Sequence, residues 1–330
     1  MIPFSDLLNQ ALLFRKEFLD SPHNTGFRLL NGHLEGFPGL TIDIYASTLV
    51  INSTARSQAF PGADLEDALT HLRDRLPWIN CALYKQHFSR RPQEKRGKIL
   101  FGEAPDNQVR EGQVWHALDL TMHQDASLYL DTRNVRHWAY TMLKNRSVLN
   151  CFAYTGSLGT AALAGGASRV IQTDLRADYL QLARRSYALN SIPVREQDFL
   201  VGDFWETIGR LKRAGERFDC VFLDPPFFSA TPKGRFDLNV DSARLINKVR
   251  PLVNHHGWLV AVNNAVFLSG KDYMKQLEQL CQDGHLQIVD LVPVPEDCTG
   301  YPDTRTGLPP TDPQPFNHAT KIAIMKVRRK

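Results

Sequence analysis

Apolar residues first recur at helical spacing between residues 5 and 19, where Leu7, Leu8, Leu12 and Phe18 fall near one face. Ser5, with Asp6 behind it, is the expected N-cap. The period then shortens. Phe27–Asn31 and Leu40–Ile44 read as strands on either side of the glycine-rich stretch Gly32–Gly39. Leu49–Ser53 follows, which predicts an antiparallel meander. A helix is predicted over 63–76, with Leu65, Ala68, Leu69 and Leu72 on one face, and further strands at Ala82–Lys85, Lys98–Phe101 and Val114–Leu120. Residues 1–125 thus read as a small N-terminal α+β domain.

Near residue 125 the rhythm changes. Helices at about 132–144 (Val135, Trp138, Ala139, Met142), 157–165, 177–190, 204–213 and 241–253 alternate with strands. The strands are Ser147–Phe152, Arg169–Thr173, a segment leading to Val201, Asp219–Leu223 and Trp258–Val262. This alternation predicts an α/β domain over 126–330, built on a parallel sheet covered on both faces. Leu286–Val292 and Lys321–Val327 are two more strands, separated by a proline-rich loop over 293–316 and no helix. One of them is therefore expected to run antiparallel.

Composition narrows the class. A chain of 330 residues has room for two cores, and 43% apolar with 22% charged residues is the balance of a soluble globular protein. No apolar run approaches a membrane span. The start, Met1 to Asp6, has no basic segment followed by an apolar one, so no secretory signal is expected. The five cysteines (Cys81, Cys151, Cys220, Cys281, Cys298) form no C-x-x-C pair. That pattern implies reduced thiols in a cytoplasmic protein, and no metal site. Net charge is a mild +4, but its distribution is uneven. Lys85, Arg90, Arg91, Lys95, Arg96 and Lys98 fall in one span with His87 and Phe88 interleaved, which suits RNA. Lys326, Arg328, Arg329 and Lys330 at the C-terminus read as a frayed, solvated tail.

The most informative string is Val221-Phe222-Leu223-Asp224-Pro225-Pro226-Phe227-Phe228. An apolar strand is stopped by two prolines, neither of which can donate to a ladder. Asp224 is thereby delivered to the strand's carboxyl end, with free carbonyls and two aromatic rings behind it. Acceptors beside a flat apolar face suit a planar, amino-bearing ring such as a nucleobase. A plain strand stop with core phenylalanines is the competing reading.

Ligands of such sheets bind at the carboxyl ends of the strands. The first strand here runs into Phe152-Ala153-Tyr154-Thr155-Gly156-Ser157-Leu158-Gly159, a glycine turn that is neither G-x-G-x-x-G nor a P-loop. Asp174 ends the second strand about twenty residues on, the place of a ribose acceptor. Asp203 closes the third, where a carboxylate can read an adenine amino group. Asp224 ends the fourth. Three acids at successive strand ends, without phosphate-cradling features, favour an adenosyl ligand lacking phosphates, which S-adenosylmethionine is.

On these residues the resemblance becomes explicit. Residues 126–330 resemble a Rossmann-like class I S-adenosylmethionine-dependent methyltransferase, more narrowly the bacterial 23S ribosomal RNA methyltransferases of the RlmI and RlmKL type. It is carried by Tyr129-Leu130-Asp131-Thr132-Arg133, by Val148 to Gly156, by Asp174 with the helix to Asn190, and by Asp224-Pro225-Pro226. Residues 27–45, with Gly36-x-Pro-Gly39-Leu-Thr-Ile-Asp43, resemble that family's middle α/β domain. The resemblance implies a seven-stranded sheet whose last strand inserts antiparallel. It also implies that Tyr129, Asp131, Arg133, Phe152, Ala153, Thr155, Gly156, Asp174, Asp203 and Asp224 surround the cofactor. Two departures stand out. RlmI-type proteins begin with a PUA domain, whereas this chain starts at the middle domain, so RNA docking is expected on residues 1–125. A cysteine nucleophile is expected after the fifth strand for cytosine-5 chemistry, but that place reads Val262-Asn263-Asn264-Ala265, and Cys298 reads as a structural loop cysteine.

N-methylation of an RNA base is therefore the expected reaction, since a nitrogen nucleophile needs no covalent enzyme adduct. Asp224 and the Pro225 carbonyl would accept from the base, Phe227 or Phe228 would stack on it, and Asn263 would hold its edge. Two other readings stay open: the same cofactor with a protein or small-molecule substrate, and a catalytically silent RNA-binding scaffold.

Overall fold

The computed structural model describes residues 3–20, 22–54, 62–306 and 311–329, with backbone only for 62–64. Met1, Ile2, part of the proline-rich loop (307–310) and Lys330 of the basic tail lie outside the described residues. The chain divides into two compact units, Met1–Leu130 with Pro295–Pro309, and Asp131–Val294 with Pro310–Lys330.

The first unit opens with helix α1 (Phe4–Phe14), shorter than its apolar period. It starts behind Pro3, not on a Ser5 cap, and a separate 3₁₀ turn at Lys16–Phe18 completes the segment. Strands β1 (Gly26–Asn31), β2 (Leu40–Tyr45) and β3 (Thr48–Ser53) form the expected antiparallel meander. Helix α2 (Gly62–Arg75) then carries the chain to β4 (Cys81–Gln86), parallel to β3. Helix α3 (Pro92–Arg96) leads to β5 (Lys98–Phe101) at the edge of this five-stranded sheet. A separate hairpin, β6 (Gln108–Glu111) with β7 (Val114–Ala117), follows. Alternation along β2 explains the layering. Ile42 and Ile44 join the core with Leu8 and Leu12 of α1 and with Leu65, Ala68 and Leu72 of α2. Asp43 faces the other way and takes Arg28 at 2.8 Å.

In the second unit, α4 (Arg133–Met142) precedes β8 (Ser147–Cys151), α5 (Ser157–Ala164), β9 (Arg169–Asp174), α6 (Ala177–Leu189), β10 (Phe199–Val201), α7 (Phe204–Arg213) and β11 (Phe218–Leu223). A hairpin unforeseen in the sequence, β12 (Phe228–Thr231) with β13 (Gly234–Asp237), interrupts the alternation before α8 (Ser242–Val249) and β14 (Val253–Asn263). Helix α9 (Gly270–Cys281), β15 (Leu286–Leu291) and β16 (Lys321–Val327) complete the unit. The sheet order is β10-β9-β8-β11-β14-β16-β15, with β16 antiparallel to both neighbours. The seven-stranded sheet with an inserted antiparallel strand is thus as expected. Each strand splits its apolar residues between two cores. Val148, Phe222, Val260 and Ile324 pack with α4 and α5, while Leu149, Val221, Leu259 and Met325 pack with α7, α8 and α9.

The helix α10 (Glu296–Thr299) belongs to the first unit, although the sequence reading placed all of 126–330 together. Polar contacts account for this. The buried Arg15 guanidinium donates to Glu35 Oε2 (2.8 Å) and to the Asp297 carbonyl (3.0 Å), Asp297 Oδ2 accepts from Arg28 N (2.9 Å), and Asn31 Nδ2 donates to the Cys298 carbonyl (2.8 Å).

Candidate active site

Registers in the second unit bring the strand ends into line. Cys151 pairs with Thr173, Val201 with Asp174, and Leu223 with both Cys151 and Ala261. The chain leaves β8 toward β9 on one side and reaches β11 on the other, so the switch point lies between β8 and β11. The residues just past these ends are the glycine turn, Asp174, Asp203, Asp224 and the Asn263-Asn264 pair.

The glycine turn is held in a demanding conformation. Phe152 (φ 55°), Tyr154 (φ 50°) and Gly156 (φ 74°) all lie in the left-handed region. That region costs a non-glycine residue about 1–2 kcal/mol, so the surroundings must enforce it. Tyr154 N donates to Asp174 Oδ2 (2.8 Å), Ala153 N to the Thr173 carbonyl (2.9 Å) and Gly156 N to the Ala153 carbonyl (2.7 Å). From beneath, buried Gln172 donates to the Gly156 carbonyl (3.1 Å) and accepts from Asn150 (2.8 Å). A Cβ at Gly156 would stand 2.5 Å from Ala183 Cβ, and one at Gly159 would stand 2.2 Å from Gln172 Nε2. Gln172 was missed in the sequence. Its signal was a lone amide in the middle of the apolar strand Arg169–Asp174.

Asp174 accepts from Tyr154 N and from Arg176 N (3.0 Å), and lone pairs remain on both oxygens. Burial pushes its carboxyl up, opposed by those backbone N–H groups. Asp203 is more heavily engaged than Asp174. Its Oδ1 caps α7 through Trp205 N (2.8 Å) and Glu206 N (3.3 Å), and its Oδ2 takes the Thr231 hydroxyl (2.6 Å). It anchors the helix and the β12–β13 hairpin, where the sequence suggested a free adenine acceptor. Phe152 likewise packs inward, stacked on Phe204 at 4.5 Å.

Asp131 Oδ2 accepts the Thr320 hydroxyl at 2.7 Å, and Arg136 donates to Thr132 Oγ1 at 2.6 Å. Asp224 differs from the other three acids, because no hydrogen bond reaches its carboxylate from the described residues. Burial, and then the Asp131 charge, push its carboxyl up to about 7, with Arg136 opposing. Beyond it Pro225 is buried, and the Phe227 and Phe228 rings are exposed.

Three expectations need correction. Asn263 is wholly buried. Its Nδ2 donates to the Leu238 carbonyl (3.2 Å) and Ser242 Oγ (2.7 Å), and its Oδ1 accepts from Ala265 N (2.9 Å), so it is a core bracket that cannot hold a base edge. The neighbouring Asn264 takes the outward place, with Nδ2 3.4 Å from the Pro225 carbonyl. Lys85 is also buried. Its ammonium donates to the carbonyls of His123, Gln124 and Asp125, and burial lowers its pKa to about 8. It is a loop anchor withdrawn from any RNA surface, whereas Arg90, Arg91, Arg96 and Lys98 are exposed and Lys95 is half-buried. The tail is not frayed through Arg329: Arg328 N donates to the His285 carbonyl (2.8 Å) and Arg329 N to His255 Nδ1 (2.9 Å).

Among the described residues no group of acids, histidines and cysteines is placed to hold a metal, and no helix is long and apolar enough to cross a membrane. Comparison with known proteins now decides the family. The model of a family described as S-adenosylmethionine-dependent methyltransferases matches residues 43–306. The chain belongs to that family. Ribosomal RNA large subunit methyltransferase I of Vibrio cholerae is 30% identical over 259 residues, 74% of this chain and 64% of its own length. The chain thus spans under two thirds of that relative. A protein of Streptococcus mutans, provisionally assigned as a SAM-dependent methyltransferase, superposes at TM-score 0.83 with 22% identity, over 98% of this chain and 81% of its own. Another structure, also provisionally assigned as a methyltransferase and complexed with SAH, superposes at TM-score 0.84 with 23% identity over the same shares. Both share the fold.

The methyltransferase cofactor suits the donor set. Asp174 retains acceptor capacity for hydroxyls, the left-handed turn brings backbone close to the strand ends, and no P-loop is present to bind a triphosphate. Tyr129 lies in the first unit and is exposed, and Arg133 begins α4 in the second.

Proposed function

We propose that this chain methylates a nitrogen of an RNA base, in ribosomal RNA of the large subunit. S-adenosylmethionine supplies a methyl group already activated on a sulfonium. What remains for the protein is to align the nucleophile and to receive its proton. One observation carries the reading: at the end of β11 stands a carboxylate without a hydrogen-bond partner among the described residues, Asp224, followed by two exposed phenylalanines. A carboxyl poised near 7 is matched to accept from, and deprotonate, a ring or exocyclic N–H at neutral pH. Phe227 or Phe228 supplies a stacking face, worth about 1–3 kcal/mol per base in single-strand binders. The Pro225 carbonyl is a second acceptor once Asn264 moves off it.

In this reading Asp174 accepts from the ribose hydroxyls. Ala153, Thr155 and Gly156 bring backbone against the cofactor, and Asp131 and Arg133 flank its amino-acid end. Phe152 and Asp203 support the pocket through packing and capping. Residues 1–125 dock the RNA through Arg90, Arg91, Lys95, Arg96 and Lys98, and the work is done in the cytoplasm. The name of the Vibrio cholerae relative supports a ribosomal substrate. The test is transfer of labelled methyl groups to ribosomal RNA, with and without nuclease, beside a calorimetric titration with S-adenosylmethionine. Label that survives nuclease would assign a protein substrate, and the absence of cofactor binding would leave a silent scaffold.

A further inference from the structure

The loop leaving β14 is clamped at one residue, Ala265. Its N–H donates to Asn263 Oδ1 (2.9 Å), and its carbonyl accepts from Lys321 Nζ (2.9 Å). Both side chains are buried, and each is fixed again elsewhere, Asn263 on Leu238 and Ser242, Lys321 on the Ala319 carbonyl. A buried lysine and a buried asparagine spent on one alanine make a rigid pedestal, since each would be costly to bury without such partners.

The residues on either side of the pedestal lack comparable support. Asn264 holds the Pro225 carbonyl only by a 3.4 Å contact, at the weak end of hydrogen bonding. Its Oδ1 is shut off from solvent and has no donor among the described residues. Phe267 is 79% exposed, the most exposed large apolar side chain among the described residues. A well-anchored loop that presents an unsatisfied amide beside Asp224-Pro225 and a solvated ring next to it lacks a partner that donates a hydrogen bond and offers a flat face.

We propose that Asn264 reads the hydrogen-bonding edge of the substrate base and that Phe267 is a second stacking ring for the nucleotide. This deepens the methyltransferase reading and rests on it. The Asn264 amide swings off Pro225 when a base enters, so that Oδ1 accepts from a base N–H while the freed Pro225 carbonyl accepts another. Bases whose edge offers two N–H bonds to these acceptors are selected, and uracil, with its single N3–H, is disfavoured.

The test uses the full chain with ribosomal RNA and two variants, Asn264→Ala and Phe267→Ala. For Asn264→Ala, kcat/KM for RNA falls on the order of 10- to 100-fold. Its affinity for S-adenosylmethionine is unchanged, and its melting temperature is equal to or above that of the parent, because an orphaned acceptor has been removed. For Phe267→Ala, a surface change without folding risk, KM for RNA rises several-fold with kcat retained. Unchanged RNA kinetics in either variant overturns the corresponding assignment. A drop in the melting temperature of Asn264→Ala with parallel loss of cofactor binding would make the residue structural and overturn its reading role. A parent protein inactive on RNA refutes the proposed function itself, which distinguishes that failure from this one.

Discussion

Replacing Asp224 by asparagine should stabilise the protein above neutral pH while abolishing its chemistry. The folded carboxyl sits near 7 against an ordinary 3.8, chiefly because of burial. Folding therefore favours the protonated acid. That contribution is complete below about pH 3.8 and is lost as pH rises through about 7. The gap corresponds to at most about 4 kcal/mol, and the partial solvent contact of the side chain reduces it to about 1–3 kcal/mol. Asparagine mimics the neutral acid and does not titrate. Melting curves of parent and variant should coincide near pH 4 and separate progressively to pH 8. There the variant melts higher, by roughly 2–4 °C per kcal/mol. At pH 8 methyl transfer should fall at least about 100-fold, the scale of one charge-assisted hydrogen bond plus the lost proton acceptor. S-Adenosylmethionine affinity should stay within a small factor. A difference in melting temperature that does not vary with pH, or a variant less stable at pH 8, would show that the carboxyl is not under this strain. Retained transfer would remove Asp224 from the reaction.

Other outcomes follow from the same physics. Gly156→Ala puts a side chain at φ 74° and its Cβ 2.5 Å from Ala183, so it should cost at least about 2 kcal/mol in urea unfolding and weaken cofactor binding by calorimetry. Arg15→Met strands the buried Glu35 carboxylate and should cost about 3–5 kcal/mol, read as a lowered denaturation midpoint. Exchanging Arg90, Arg91 and Arg96 for alanine should weaken RNA binding and flatten its dependence on salt, the log–log slope falling by about 0.7–0.9 for each phosphate no longer neutralised, as measured by filter binding. Lys85→Met should instead lower stability and leave the salt slope alone, because the Lys85 ammonium is held by three carbonyls.

The parallel sheet was readable from residues because each strand is a short apolar run and each helix a 3.6-period stripe. The hairpin Phe228–Asp237 was not. Its strands carry Phe228, Ser229, Ala230 and Thr231 against Gly234, Arg235, Phe236 and Asp237, with only Phe236 buried, so no apolar alternation announces it. The acids at the strand ends were found because prolines, glycines and a change of period mark those ends. Which acid remains uncommitted was not readable, because that depends on partners distant in sequence: Thr320 takes up Asp131, and Thr231 takes up Asp203. The same limit explains the exchange of Asn263 for Asn264. Adjacent strand residues face opposite ways, and periodicity alone does not say which of two asparagines points inward once the strand is ending. Lys85 misled for a related reason. In sequence it heads a basic run, but in β4 it alternates with core residues and its charge is buried beneath a loop.

The contrast between Asp131 and Asp224 bears most directly on mechanism. Two carboxylates close enough to repel one another are a liability unless their environments differ. Here Asp131 is given a hydroxyl donor from Thr320, and Asp224 is given none by the described residues. The strain concentrates on the one acid that the prolines hold at the strand end beside exposed rings. Supplying Asp224 with a permanent donor from within the protein should relieve that strain and remove the driving force for accepting a proton from substrate. A variant that does so should therefore be more stable and slower, its pH–rate limb moved to lower pH. Stabilisation without that movement would place the acceptor elsewhere.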